Sequence, residues 1–441
     1  MQPNYDAIKI PSFLVGGFYD GYRDSVPRML ANLKAPVKAI LGPWNHTYPH
    51  DAVPGPAIEW RQEAVRFWDQ WLKGRNTGIM DEPRVTVYVR HYHPPDPNLK
   101  EIPGEWRGED AWPVRRTQMK TLYAAGDHTL SGAPAKPDLH ALKYVPSAGA
   151  EAGFWWGEVL TDQRPADAYS LVYDTPPLDA DLEILGMPKA LLPASATAPL
   201  ANWFARLSDV APDGSVTQVT GAGLSGAQRD SDENPKPLEP GKVYPLEVEM
   251  HVTSWVFPRG HRLRLSVSNA VWPMIWPTPY PMTTSLAIGG EQGARLVLPV
   301  VPFEERPHPK FLPPDLAPPP PGVRSEGGTW PGEWRATRDQ VRQSTRVAWH
   351  GSNATQFPWG RETQDEQMTY EVADDNPAVS TVRGEIETGI HLADRVLTLH
   401  GVVDFKSDAT SFYYTYKRTL LKDGKVIREK SGNETIPRDQ Q

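Results

Sequence analysis

Two short apolar runs stand near the start of the chain, Phe13-Leu-Val-Gly-Gly-Phe-Tyr and Val37-Lys-Ala-Ile-Leu41. Each is long enough for a buried strand and too short for a helix. Between them, Asp24, Ser25 and Pro27 supply helix-start chemistry and Ala35-Pro36 a stop, which predicts a helix over residues 25–34. A 3.6-residue period then runs from Glu59 to Lys73, with Trp60, Ala64, Phe67, Trp68, Trp71 and Leu72 on one stripe. Gly74 follows as a left-handed cap. A stripe so rich in tryptophan is expected to dock against a broad surface.

Past Asp81-Glu-Pro83 the period shortens to two. Residues 84–90, 119–123, 168–173, 181–185, 203–207, 243–249, 261–267 and 294–300 read as strands between turn-rich segments. Alternation of polar and apolar side chains along several of them suits antiparallel sheets with one packed and one wet face. Pro318 through Pro321 cannot donate backbone hydrogen bonds, so residues 302–322 should be extended and wrap along the preceding domain. Beyond, residues 343–349, 366–372, 379–388, 395–403 and 411–421 again read as antiparallel strands, with Lys422-Asp-Gly-Lys425 a hairpin turn.

The expected fold class is therefore mainly β: a jelly-roll-like β-sandwich preceded by a small α/β portion. Expected units are residues 1–75, a sandwich over 76–300, a proline-rich connector over 301–325 and a further β-rich extension over 326–441. The 35 glycines and 47 prolines among 441 residues fit short strands and many turns better than a helical bundle. No cysteine is present, which removes disulfides, thiolate catalysis and cysteine-ligated metals. A net charge of −8 disfavours a broad nucleic-acid footprint. Neither a signal peptide nor an apolar run of membrane-spanning length is visible, so no membrane contact and a cytoplasmic location are expected.

Candidate chemistry sits where the two N-terminal strands end. Asp20 follows the first strand and His46, in Gly42-Pro-Trp-Asn-His46, follows the second. A carboxylate and then an imidazole in this order suit the acid and base of an α/β-hydrolase-type triad, whose serine should lie upstream. Only nineteen residues precede Asp20, and no Gly-x-Ser-x-Gly pentapeptide occurs anywhere. The nearest imitation, around Ser225, has its second glycine one place early. Asp24 competes with Asp20 for the acid role and His50 with His46 for the base. Elsewhere, His91 and His93 alternate as if on one strand face but lack a third ligand, and Asp230 through Glu233 reads as a solvated loop. No metal or other cofactor is expected. Trp155, Trp156, Trp272 and Trp276 are expected to fill the space between sheets, with a substrate mouth as the competing use.

Taken as a set, Gly17-Phe-Tyr-Asp20-Gly21, Gly42-Pro-Trp-Asn-His46, the helix ending Trp71-Leu-Lys-Gly74, Glu82-Pro-Arg-Val-Thr-Val-Tyr88, Leu160-Thr-Asp-Gln-Arg164, Arg206-Leu-Ser-Asp209 and Phe257-Pro-Arg-Gly-His-Arg-Leu263 carry a family likeness. They resemble, in order, the cocaine-esterase-like and X-prolyl-dipeptidyl-peptidase-like serine hydrolases over residues 12 to about 300. The resemblance implies the end of an α/β-hydrolase domain followed by a jelly roll, with Asp20 as triad acid and His46 as base. It implies hydrolysis of an acyl ester or X-Pro amide in a complete form, on a small-molecule ester or peptide substrate. The family serine and oxyanion-hole tyrosine would precede residue 1, so the chain is expected to be an incomplete catalyst that self-associates or joins a missing catalytic portion. The competing expectation is a non-catalytic β-sandwich binding or structural module.

Overall fold

The computed structural model describes residues 4–153, 158–329 and 332–441. Trp155 and Trp156 lie outside the described residues. The structure is predominantly β. The N-terminal strands form as the sequence leads one to expect: β1 (Ser12–Gly17), α1 (Ser25–Asn32) and β2 (Val37–Gly42), followed by α2 (Trp60–Leu72). The next two strands, β3 (Val85–Arg90) and β4 (Gly104–Glu109), join the same four-stranded sheet in the order β1-β2-β3-β4. β1, β2 and β3 run parallel and β4 antiparallel. The strand expected to open the sandwich is thus the third parallel strand of the N-terminal sheet, which draws on both sides of residue 76. It goes there because β3 is buried along its whole length, as a parallel strand covered on both faces must be.

The sandwich follows. β5 (Gln118–Ala124), β6 (Leu130–Ser131), β7 (Asp138–Lys143), β8 (Leu171–Asp174), β9 (Leu182–Gly186) and β10 (Lys189–Ala196) precede β11 (Asn202–Val210) and β12 (Val216–Ser225). Then come β13 (Tyr244–Glu249), β14 (Thr253–Phe257), β15 (Arg262–Ser268), β16 (Thr283–Ile288) and β17 (Arg295–Val300). They sort into a nine-stranded sheet around β14-β9-β17-β10-β16-β7 and a four-stranded sheet β12-β11-β15-β8. One core joins the two, with Leu122, Leu192 and Leu246 from the larger sheet against Trp203, Leu207 and Leu265 from the smaller.

The proline-rich segment lies along the N-terminal sheet, a different surface from the sandwich expected: Gly108 N–H donates to Pro307 O, Glu59 N–H to Leu312 O, and Phe311 packs on Trp106. The C-terminal stretch builds one eight-stranded sheet from β18 (Arg324–Gly328), β19 (Glu333–Asp339), β20 (Ser344–Phe357), β21 (Gly360–Ala373), β22 (Ser380–His391), β23 (Val396–Ser407), β24 (Ser411–Lys422) and β25 (Lys425–Pro437). The last six form an antiparallel meander. Its last hairpin turn, expected at residues 422–425, forms at Asp423 and Gly424, both with positive φ as a tight two-residue turn requires. Trp272 is buried against Val347 and Val372, while Trp276 donates to Ser407 Oγ and packs on Phe405 and Phe412. These tryptophans fill the seam between sandwich and C-terminal sheet.

One expectation of the helix pattern fails. Of the α2 stripe only Phe67 is buried, against Phe13 of β1, while Trp68, Trp71 and Leu72 are exposed. Nothing among the described residues covers that face.

Candidate active site

Asp20 and His46 meet because β1 and β2 are adjacent, parallel and in register from Ser12↔Val37 to Gly17↔Gly42. Both loops therefore leave the same end of the sheet, at the C-terminal ends of its parallel strands. Phe18 N–H donates to Gly42 O and Tyr19 N–H to Trp44 O, each at 2.9 Å, extending the ladder past the strand ends. Glycine is required at position 17, where a Cβ would fall 2.2 Å from Trp44 O. Trp44 is buried and donates its indole N–H to Pro56 O, which fixes the turn two residues before His46.

The His46 Nδ1 to Asp20 Oδ2 distance is 3.1 Å. Asp20 Oδ1 accepts from Tyr22 N–H at 2.7 Å, so the carboxylate is anchored by one oxygen and presents the other to the imidazole. An ionised carboxylate accepts only, which selects the tautomer with its proton on Nδ1 and leaves Nε2 as a base. The His46 side chain is 68% exposed and Asp20 20%. Among the described residues, Asp20 is the one side chain that hydrogen-bonds His46, and no serine reaches it. Ser225 pairs with Asn202 in the sandwich.

The competing assignments are otherwise occupied. Asp24 Oδ2 contacts His251 Nδ1 at 2.7 Å and its Oδ1 accepts from Val252 N–H. Burial pushes the Asp24 carboxyl up, but the His251 bond and charge and the Val252 N–H outweigh it, and the net shift is down. His50 accepts from the Trp60 indole and lies 3.2 Å from Asp51. His91 and His93 do not act together: His91 is exposed, while His93 is buried, donates from Nδ1 to Pro94 O and accepts at Nε2 from Tyr19 OH. No group of three or more metal-ligating side chains occurs among the described residues. Asp230 through Glu233 is a loop, with Asp230 paired to Arg229.

Beneath the pair lies a set of groups the sequence pattern does not announce. Arg23 is buried and its Nη1 donates to Asp20 O. Burial lowers its guanidinium to about 10, with Asp24 opposing and nearby Arg90 adding to the fall. Arg90, also buried, sits over the rings of Phe18, Tyr19 and Trp255 and donates to Ser254 O and Thr253 Oγ1. Cation–π contact and oxygen acceptors hold this charge, with no carboxylate bonded to it among the described residues. The Asp20 loop is thereby tied to the sandwich. No local spacing signals this, since Arg23 and Arg90 come from separate elements.

Comparison with known proteins gives matches at the level of a superfamily. Residues 1–48 match the family described as X-Pro dipeptidyl-peptidase (S15 family), and residues 77–295 match the X-Pro dipeptidyl-peptidase C-terminal non-catalytic domain. Similar curated proteins include a putative serine esterase of Mycobacterium tuberculosis, 28% identical over 288 residues, covering 58% of this chain and 44% of that protein. The cocaine esterase of a Rhodococcus species is 28% identical over 299 residues, covering 60% of this chain and 49% of its own. Among solved structures, an aminopeptidase from a marine sediment Thaumarchaeota archaeon aligns at 25% identity and a TM-score of 0.55, over 67% of this chain and 56% of that one. The chain spans about half the length of the curated relatives it matches. These matches link it, at the level of the superfamily, to the CocE/NonD and S15 esterases and peptidases.

Proposed function

We propose that Asp20 and His46 are the acid and base of a serine-hydrolase triad whose nucleophile is carried by a polypeptide segment other than these 441 residues. The single observation that carries this reading is the 3.1 Å Asp20 to His46 contact at the ends of adjacent parallel strands, with the imidazole left open. His46 Nε2 takes the serine proton as the hydroxyl attacks an acyl carbon, and returns it to the leaving alcohol or amine. Asp20 holds the tautomer and stabilises the imidazolium. Water then repeats the sequence on the acyl-enzyme. The substrate class is an acyl ester or an X-Pro peptide amide, as in the relatives' names. β1 supports the same reading. It pairs on one side only among the described residues, and with the uncovered face of α2 it offers a place for further sheet.

The test is covalent labelling by a fluorophosphonate, with ester turnover alongside. A protein comprising these residues and the nucleophile segment should label on serine, and His46→Ala should cut turnover by roughly 10³-fold or more without unfolding it. Wild-type turnover in that variant would overturn the base assignment. Stoichiometric serine labelling of the purified 441-residue chain would overturn the placement of the nucleophile elsewhere. A second reading rests on residues 77–295, whose match is to a domain described as non-catalytic. In it the chain as a whole serves as a β-sandwich binding or structural module, and the fully assembled protein would neither label nor turn over ester.

A further inference from the structure

The meander ends in β25, thirteen residues long and exposed at all but one position. β25 pairs with β24 on one side, and its other edge is open among the described residues. A long open edge is a template for another strand. The sequence of this edge favours one partner. In a two-fold antiparallel pairing, opposite side chains share a sheet face, so one residue must sit opposite its own copy. Centring on Glu429 or Lys430 stacks like charges. Centring on Gly432 sets Lys430 against Glu434 twice but leaves Arg428 against Ile436 and without a carboxylate directly opposite. Centring on Ser431 sets Arg428 against Glu434 twice, Glu429 against Asn433 twice and Lys430 against Gly432 twice.

Within the chain, Arg418 of β24 lies directly across from Lys430, an unfavourable pairing of like charges. Neither Arg428 nor Glu434 has an ion-pair partner among the described residues. In the Ser431-centred pairing, Glu434 of a second copy lies opposite Arg428 and diagonal to Lys430, on the sheet face those residues share with Arg418. It neutralises the cluster that β24 and β25 leave bare. The ladder runs from Arg428 to Glu434, stopping on one side at the irregularity between Leu420 and Leu421. Exposed Val426, Ile427 and Ile436 flank its two ends.

We infer that β25 is a self-pairing edge, and that two copies of this chain join through it into one continuous sheet about an axis at Ser431. This is independent of the catalytic reading above. Sedimentation of the full chain should give twice the 49.2 kDa chain mass at tens of micromolar. Arg428→Glu and Glu434→Arg should each weaken the dimer about tenfold, and the double exchange should restore it. The chain has no cysteine, so a single thiol can report the axis. Residues directly opposite lie about 4.5–5.5 Å apart between Cα atoms, within disulfide reach. Ser431→Cys should therefore give a covalent dimer on mild oxidation, and Glu429→Cys should not. A monomer at about 100 μM, single variants that dimerise like the wild type, a double variant no better than the singles, or an uncrosslinked Ser431→Cys protein would each overturn the proposal.

Discussion

At Asp24 the distinction between a structural and a catalytic carboxylate becomes a matter of partners. It lies four positions after Asp20, yet it faces His251 across the seam to the sandwich, at 2.7 Å. Both side chains are about a quarter exposed, so the charge-assisted bond keeps much of its strength. The Asp24 carboxyl is depressed in the folded protein. A depressed carboxyl binds its proton less readily folded than unfolded. Its stabilisation is thus complete above the unfolded value of about 3.9 and is lost as pH falls through the lower folded value. Asp24→Asn should cost roughly 1–3 kcal/mol at neutral pH in urea denaturation, and should remove part of the loss the wild type shows below about pH 4. Equal stability of the two proteins at pH 7 would dismiss the pair as a tie between units. The positions of Asp20 and His46 were readable because strand ends and loop order are local signals. That Asp24 belongs to His251 was not, because the partner lies more than two hundred residues away.

Among the elements, β4 shows how an edge strand is bound to a neighbouring layer by charge. Arg107 sends its Nε to Glu109 and its terminal nitrogens to Glu183 of β9, and Arg116 grips Glu109 with two further bonds. Burial lowers the Arg107 guanidinium, but the Glu183 and Glu109 contacts exceed it and the net shift is up. Removing one member of such a network leaves buried charge uncompensated. Arg107→Ala should destabilise by about 3–5 kcal/mol in chemical denaturation, whereas a swap of Arg107 and Glu183 to well-packed apolar residues should cost much less. If the two cost the same, the effect is lost packing and not stranded charge. The strands that sequence periodicity misses have visible physical causes. β10 alternates buried and half-buried residues, but its inward side chains include three alanines, and Pro193 breaks the strand signal. The proline is tolerated because it lies directly opposite Pro245, where neither need donate to the other. β25 carries five charged residues and shows no apolar alternation, so only the hairpin turn before it points to a strand. The α2 stripe was legible as a stripe, but its burial depended on a surface that periodicity cannot supply.

For the whole molecule, the packing reverses what the chain pattern suggests about its first 75 residues. Read as a lone two-stranded fragment with open faces, that segment ought to weaken the remainder, and residues from about 82 onward ought to fold better alone. The structure makes it an internal support. β2 pairs with β3 through Ala39↔Val85, Ile40↔Thr86 and Leu41↔Val87, so its removal bares the parallel edge of a fully buried strand. The same apolar cluster holds Val37, Ala39 and Leu41 with Val85, Val87 and Val89, and also Leu185, Val252 and Val301 from the sandwich side. Arg28 pairs with Glu249 and Asp24 hydrogen-bonds His251, so an ion pair and a charge-assisted hydrogen bond would go with it. Against this stand the exposed Trp68, Trp71 and Leu72 and the edge of β1 that is open among the described residues, features of the kind that favour association. The two effects are separable because one acts on folding and the other on self-association. Deletion of residues 1–75 should lower the urea midpoint and raise protease sensitivity of the 82–301 region. Surface changes at Trp68, Trp71 and Leu72 to charged residues should reduce association of the full chain and leave its unfolding free energy within about 0.5 kcal/mol of wild type. A deletion product that matched the full chain in midpoint and protease resistance would mean that β3 and β4 take their stability from the sandwich alone.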